Sequence, residues 1–154
     1  MRVSEARQTA VSKYDAGRTL FDGLKRWSRL VERNLAGLGL TPAEFRVLRV
    51  LSESGPSSMV TLAMEQGMTA PGMTMVIDKL EGTGLVRRVR SDVDRRAINV
   101  VITGKGGEKL KRAVKLHDRF IERAIHNIPS QDIDAFLTTL NKIVAAAEDR
   151  TSAP

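Results

Sequence analysis

Apolar residues recur at steps of three and four near both ends of the chain, and this spacing predicts long amphipathic helices. In residues 5–35 the apolar stripe includes Leu24, Trp27 and Val31. Similar stripes run through residues 104–128 and, after Pro129, through residues 130–148. These long segments flank a middle region with shorter elements.

The middle region carries the signals of a helix-turn-helix. Thr41 and Glu44 predict a capping box, in which each side chain accepts a backbone amide of the other residue. Two later segments, about residues 59–66 and 69–81, are joined at Gly67, where glycine permits the positive φ of a tight corner. Thr69 is the predicted N-cap of the second segment, and its inward stripe is Met73, Val76, Ile77 and Leu80.

The pattern then changes from a helical period to two β-prone runs, residues 85–90 and 97–102, separated by the polar residues 91–96. The order of helix, turn, helix, strand, charged tip and strand is typical of a winged helix-turn-helix. We predict a mostly α fold with a small β-hairpin wing, in a single domain of residues 1–154.

The positive charge of the chain is concentrated in one region. The formal net charge is +7, from 25 basic and 18 acidic residues. Residues 85–115 contain ten basic and three acidic residues, so the rest of the chain carries fifteen of each. A polyanion is the natural partner of such a region, because each phosphate that it neutralises releases a condensed counterion.

Other kinds of chemistry lack the residues that they need. The chain has no cysteine, and His117 and His126 fall on opposite faces of one helical segment. We therefore expect no metal site, no cofactor and no enzymatic activity. No signal-peptide core and no membrane-spanning apolar run is present, so we expect a cytoplasmic protein without a membrane partner.

Three stretches give the chain a recognisable pattern. They are residues 40–48 (LTPAEFRVL), residues 76–86 (VIDKLEGTGLV), and the wing residues 92–97 (DVDRRA) running to 102–106 (ITGKG). With these motifs the chain resembles the MarR family of bacterial and archaeal transcriptional regulators, over essentially its whole length.

The resemblance implies a homodimer that binds double-stranded DNA at a pseudopalindromic operator. Residues 41–103 would form the winged helix-turn-helix lobe, while residues 5–38 and 104–148 would form long N- and C-terminal dimerisation helices. The second helix of the motif would enter the major groove. Arg96, oriented by Asp94, would enter the flanking minor groove, with Arg95 beside it.

The predicted recognition helix carries few polar groups on its outer face. Bidentate recognition of guanine is not expected from it, so we predict apolar contacts to thymine methyl groups, supplemented by wing contacts. Met73 is expected in the core, whereas the pattern leaves Met75 open between core and surface. The predicted DNA-contacting residues are Thr69, Ala70, Pro71, Gly72, Thr74, Met75, Lys79, Arg87, Arg88, Asp94, Arg95 and Arg96, with Ser57 and Ser58 as further phosphate contacts.

The resemblance also implies a small aromatic acid as effector, bound between the dimerisation helices and the lobe, that releases DNA. Tyr14, Trp27 and Arg46 are the candidates to line that cleft, although a tryptophan on an apolar stripe more often serves packing.

Two alternatives to a site-specific repressor or activator stay open. A low-specificity architectural or chromatin-like protein would use the same fold with an apolar recognition helix. A protein-interaction module would not need the basic wing.

Overall fold

The computed structural model of the protein describes residues 12–90 and 98–151. Within these residues the chain forms six α-helices and three β-strands. Their order is α1 (Lys13–Ala36), α2 (Pro42–Ser54), β1 (Ser57–Ser58), α3 (Met59–Glu65), α4 (Ala70–Gly82), β2 (Val86–Arg90), β3 (Ile98–Ile102), α5 (Gly104–Ile125) and α6 (Ser130–Thr151). The predicted fold class, mostly α with a small β-sheet, is confirmed.

Helix α2 begins at the predicted capping box. The Thr41 hydroxyl accepts the amide of Glu44 at 3.3 Å, and the Glu44 carboxylate accepts the amide of Thr41 at 2.8 Å. These two bonds satisfy amides that the first turn of a helix leaves without partners. The helix then buries one apolar face, formed by Phe45, Val47, Leu48 and Leu51.

The described strands form one antiparallel sheet in the order β1-β3-β2. Val86 pairs with Ile102 and Arg90 with Ile98, as the predicted hairpin requires. Strand β1 was not predicted: Ser57 pairs with Val100 and so extends the sheet on its other side. A two-residue serine strand has no hydrophobic alternation to reveal it, and it exists only because β3 lies beside it.

The chain divides into two compact units, Met1–His117 and Asp118–Pro154. The hydrophobic core belongs to the first unit, where Leu48, Ile77 and Val100 are fully buried together. Leu35 brings the end of α1 into this core, and Leu110 brings the first half of α5. The core therefore holds the helix-turn-helix, the sheet and parts of both long helices.

Large apolar side chains elsewhere lie exposed. On α1 they are Tyr14, Phe21, Leu24, Trp27 and Leu30, and in the second unit they are Ile125, Ile128, Phe136, Leu137, Ile143 and Val144. Much of the apolar stripe predicted on each of these helices is thus exposed to solvent among the described residues. Helix α6 also differs at its start: Ser130 is its first residue rather than its cap, because the Pro129 carbonyl accepts the amides of Asp132 and Ile133.

Candidate nucleic-acid interface

The corner between α3 and α4 has the predicted helix-turn-helix geometry. Gly67 has a φ of 58°, a conformation that favours glycine. The Thr69 hydroxyl accepts the amide of Gly72 at 3.3 Å and caps α4. Pro71 lies in the first turn, where its missing N–H removes no helical hydrogen bond. The local sequence therefore defines both the corner and the start of the recognition helix.

The first two turns of α4 present an uncharged face to solvent. Ala70, Pro71 and Thr74 are exposed, and the Thr74 hydroxyl donates to the carbonyl oxygen of Ala70 at 3.0 Å. Met75 is 75% exposed, whereas Met73 is fully buried. Met75 is therefore a surface residue and not part of the core, and its contact with DNA stays a prediction. Thr74 keeps lone pairs to accept a hydrogen bond.

At the other end of α4, Lys79 forms an ion pair with a buried carboxylate. Its ammonium lies 2.8 Å from Oε1 of Glu44, a side chain that is only 3% exposed. Because Oε2 of Glu44 accepts the Thr41 amide, one carboxylate joins the start of α2 to α4. The sequence predicts Glu44 only as a capping residue, and nothing in the sequence pairs it with a lysine 35 positions later.

Arg88 connects strand β2 to α4 through three hydrogen bonds. Its Nη2 donates to Asp78 at 2.6 Å, its Nη1 donates to Glu81, and its backbone amide donates to Oε1 of Glu81 at 2.8 Å. The hydrogen bond to Asp78 chiefly raises the pKa of Arg88, and the one from the Arg88 amide lowers the pKa of Glu81. The guanidinium thus fixes the first wing strand against the recognition helix.

The other two basic residues of β2, Arg87 and Arg90, are exposed to solvent. No carboxylate pairs with either of them within residues 12–90 and 98–151. The strand therefore directs Arg87 and Arg88 to opposite faces, as its period of two residues requires. The predicted wing residues Asp94, Arg95 and Arg96 lie outside the described residues.

The two serines proposed as phosphate contacts have local partners. Ser58 caps α3 by accepting the amide of Thr61 at 3.1 Å, and the Ser57 hydroxyl donates to the carbonyl oxygen of Gly55. Their contact with phosphate, like that of Lys79 and Arg88, stays a prediction.

The three effector candidates are not brought together in the single chain. Tyr14 and Trp27 are thirteen residues apart on α1, roughly 20 Å along the helix axis. Arg46 donates through Nε to Gln66 at 2.9 Å, which ties α2 to the residue after α3. A cleft lined by all three side chains would therefore need residues from a second protomer.

The described residues contain neither a membrane-spanning helix nor a metal-binding cluster. No described helix is long and apolar enough to cross a membrane. No group of three or more histidine or acidic side chains lies close enough to hold a metal ion in the part of the chain that the structure covers.

Similarity to known proteins agrees with the geometry. A model of the MarR family matches residues 38–97, the region from the start of the lobe into the wing. YkoM of Bacillus subtilis, an uncharacterised HTH-type transcriptional regulator, is 31% identical over 104 residues, which is 68% of each protein.

Two solved structures extend the likeness to most of the chain. The transcriptional regulator BldR from Sulfolobus solfataricus is 31% identical with a TM-score of 0.72, covering 88% of this chain and 99% of BldR. The transcriptional repressor CouR, solved bound to a 23-mer DNA duplex, is 32% identical with a TM-score of 0.76, covering 83% of this chain and 91% of CouR. The chain therefore belongs to the MarR family of transcriptional regulators, which are DNA-binding proteins and not enzymes.

Proposed function

We propose that this regulator acts as a homodimer that binds a pseudopalindromic operator with sequence specificity, and that it represses transcription there. The observation that carries the proposal is the difference between the two ends of α4. Its start is capped, exposed and uncharged, while its end is fixed to α2 and β2 by ion pairs. A helix held in this way can enter a major groove without losing its orientation.

Base readout by α4 rests on apolar contacts. Met75, Ala70 and Pro71 offer methyl and methylene groups, which suit the thymine C5-methyl group. Thr74 accepts a hydrogen bond from adenine N6 or cytosine N4 while its own proton stays on the Ala70 carbonyl. The operator is thus expected to contain A·T pairs opposite the start of α4.

Phosphate contacts are assigned to the basic residues that point outward. Arg87 on β2 is the first candidate, because it has no carboxylate partner among the described residues. For the wing, we keep Arg96 in the minor groove, oriented by Asp94, with Arg95 at the adjoining backbone. Lys79 and Arg88 remain candidates for phosphate contact, and their ion pairs also position α4 and β2.

Dimerisation would cover the apolar side chains that the single chain leaves exposed. Phe21 and Leu24 on α1, and Phe136 and Leu137 on α6, are each at least 45% exposed. Apolar surface on this scale typically marks an interface, and two-fold symmetry would match a pseudopalindrome. Leu24→Glu and Phe136→Glu should each shift the protein toward monomer in analytical ultracentrifugation. Met64→Glu, which alters an apolar side chain 77% exposed on α3, should remain a dimer.

One observation favours a second candidate. The uncharged start of α4 would also suit an architectural protein that binds DNA with little sequence preference. Binding to a genomically selected site and to its scrambled duplex, measured over a range of salt, separates the two functions. The regulator should prefer its site by about 10³-fold or more. A ratio below about tenfold would instead establish the architectural function.

Two variants identify which element supplies the preference. Arg96→Ala should weaken binding and flatten its salt dependence, with the log–log slope of the dimer falling by about two because each protomer loses one cation. Met75→Ala should reduce the preference for the selected site while leaving binding to scrambled DNA nearly unchanged. Lys115→Gln, an exposed charge outside the lobe, is the control and should change the preference little.

Release of DNA by a small aromatic acid is proposed from family membership. Tyr14 and Trp27 are too far apart on one α1 helix to meet, so a cleft containing both would require the second protomer. Titration of the DNA complex with benzoate-type acids at constant ionic strength tests this. A Tyr14→Ala variant that responds as wild type would remove Tyr14 from the cleft.

A further inference from the structure

A small cavity lies in the first unit at the far end of α4. It has a volume of about 210 Å³ and lies where the loop before α2, the end of α4 and the first turns of α5 meet. Four basic side chains line it, Lys79, Lys105, Lys109 and Arg112, together with the single carboxylate of Glu44. The cavity is thus strongly basic.

Only one of these cations is neutralised by an acidic side chain. Lys79 pairs with Glu44, as described above. Lys105 donates to the carbonyl oxygen of Thr83 at 2.7 Å, and Arg112 donates weakly to the Glu108 carbonyl oxygen at 3.4 Å. Lys109 has no ion pair or hydrogen bond among the described residues. Lys105, Lys109 and Arg112 therefore line this space without an ion pair among the described residues, since Glu44 pairs with Lys79 and the nearby Glu108 pairs with Lys111.

The position of these charges on α5 is itself unfavourable. The N-terminal end of a helix carries partial positive charge and favours acidic side chains, yet the first turn of α5 contains none. The spacing of Lys105, Lys109 and Arg112 at four and three residues places all three on one face. Mutual repulsion of like charges adds to the cost. A bound anion would offset both effects.

The fold holds this end of α5 firmly in place. Gly106 packs closely against Leu85, the residue before β2. A Cβ added at Gly106 would lie 2.1 Å from the carbonyl oxygen of Leu85. The Thr103 hydroxyl donates to the carbonyl oxygens of Gly84 and Leu85 and accepts the amide of Gly106. The cationic face is therefore presented to the cavity by rigid elements and not by a loop.

We propose that this cavity binds a small, multiply charged oxyanion of the phosphate class. Its volume is below the roughly 300–1,000 Å³ of pockets for drug-sized ligands, so the ligand is small. Arg112 offers a planar set of donors and the two lysines offer point charges, a combination suited to several oxygens on one anion. The ligand would contact both the end of the recognition helix and the start of α5.

The phosphate in question is not that of the DNA backbone. The cavity lies at the C-terminal end of α4, while the capped end that is proposed to enter the major groove lies thirteen residues earlier, roughly 20 Å away. Anion binding here is also independent of operator specificity, so it can be tested without the operator.

The test is titration of the full chain with inorganic phosphate. Calorimetry measures binding and thermal unfolding measures stability, and sodium chloride at equal ionic strength is the reference. Phosphate should bind saturably and raise the unfolding temperature more than chloride. The double variant Lys109→Gln/Arg112→Gln should weaken phosphate binding by about tenfold or more, since it removes charge-assisted hydrogen bonds. The double variant Arg87→Gln/Lys115→Gln, which also removes two positive charges but outside the cavity, should stay within about threefold of wild type.

Three results would overturn the proposal. The first is equal phosphate binding by Lys109→Gln/Arg112→Gln and the control variant Arg87→Gln/Lys115→Gln. The second is binding of acetate as tight as that of phosphate, which would mean a carboxylate site. The third is displacement of phosphate by a short DNA duplex, which would place the cations in the DNA interface.

Discussion

The two ends of helix α4 differ in how they are held. At its start, Ala70, Pro71 and Met75 face solvent, and the ties there are the Thr69 cap and the bond from Thr74 back to its own helix. At its far end, contacts from three other elements converge on Lys79 and Glu81 and on the turn after them.

Under the proposed function, this difference separates the residues that stabilise the lobe from those that contact DNA. A surface that reads DNA must keep its contact groups unsatisfied until DNA arrives, so it contributes little to folding. The opposite end is fixed by ion pairs and hydrogen bonds to α2, β2 and α5, and it lies outside the surface that is proposed to contact DNA bases. Substitutions at the far end should therefore lower stability, while substitutions at the start should alter DNA binding.

The largest effect is expected at Gly106. Gly106→Ala places a methyl group 2.1 Å from the Leu85 carbonyl oxygen, so backbone must move, and we expect a loss of about 3 kcal/mol. Gly107→Ala is the matched control, because no atom lies within 4 Å of its added Cβ, and it should stabilise α5 by about 0.5–1 kcal/mol. Urea unfolding at fixed protein concentration measures both. Equal stability of the two variants would contradict the close contact.

Removal of the Lys79 charge comes next. Lys79→Met leaves the carboxylate of Glu44, 3% exposed, without its cation, and should cost about 2 kcal/mol in free energy of unfolding. In a Glu44→Gln background the same change should cost nearly nothing, since glutamine still completes the capping box. A cost that is the same in both backgrounds would show that the ion pair does not stabilise the fold.

Loss of the Arg88 guanidinium should have a smaller effect. Arg88→Met removes its side-chain bonds to Asp78 and Glu81 but keeps the bond from its backbone amide, so about 1 kcal/mol is expected. Arg90→Met, on the same strand, should stay within about 0.5 kcal/mol of wild type. Chemical denaturation compares them, and a larger loss for Arg90→Met would reverse the proposed division of roles on β2.

The smallest effect is a pH dependence at Glu81. Hydrogen bonding by Arg88 lowers the pKa of Glu81 below its ordinary value of 4.5. The folded state therefore binds this proton less readily than the unfolded state, so the stabilisation is present above pH 4.5 and is lost as pH falls through the lower folded pKa. Glu81→Gln should flatten the stability profile in that acid range, whereas Glu65→Gln should not. Parallel profiles for wild type and Glu81→Gln would refute the contribution.

Within the lobe, the features that depend on residues close together in the sequence were predicted correctly. The capping box of Thr41 and Glu44, the Gly67 corner and the Thr69 cap were confirmed because each depends on residues within three positions of one another. The inward stripe with Met73 and Ile77 was confirmed because helical periodicity records burial directly. Asp94, Arg95 and Arg96 stay predictions.

What the sequence by itself determined is the order and type of the elements, their caps and turns, and the place of the excess charge, since these depend on local geometry and on counting. The tertiary structure alone decided which charged side chains form ion pairs with each other. It pairs Lys79 with Glu44 and Arg88 with Asp78 and Glu81, adds β1 to the sheet, and leaves Met75 exposed. The physical reason is that an ion pair or a strand ladder joins residues far apart in sequence, and only folding places them within reach of each other.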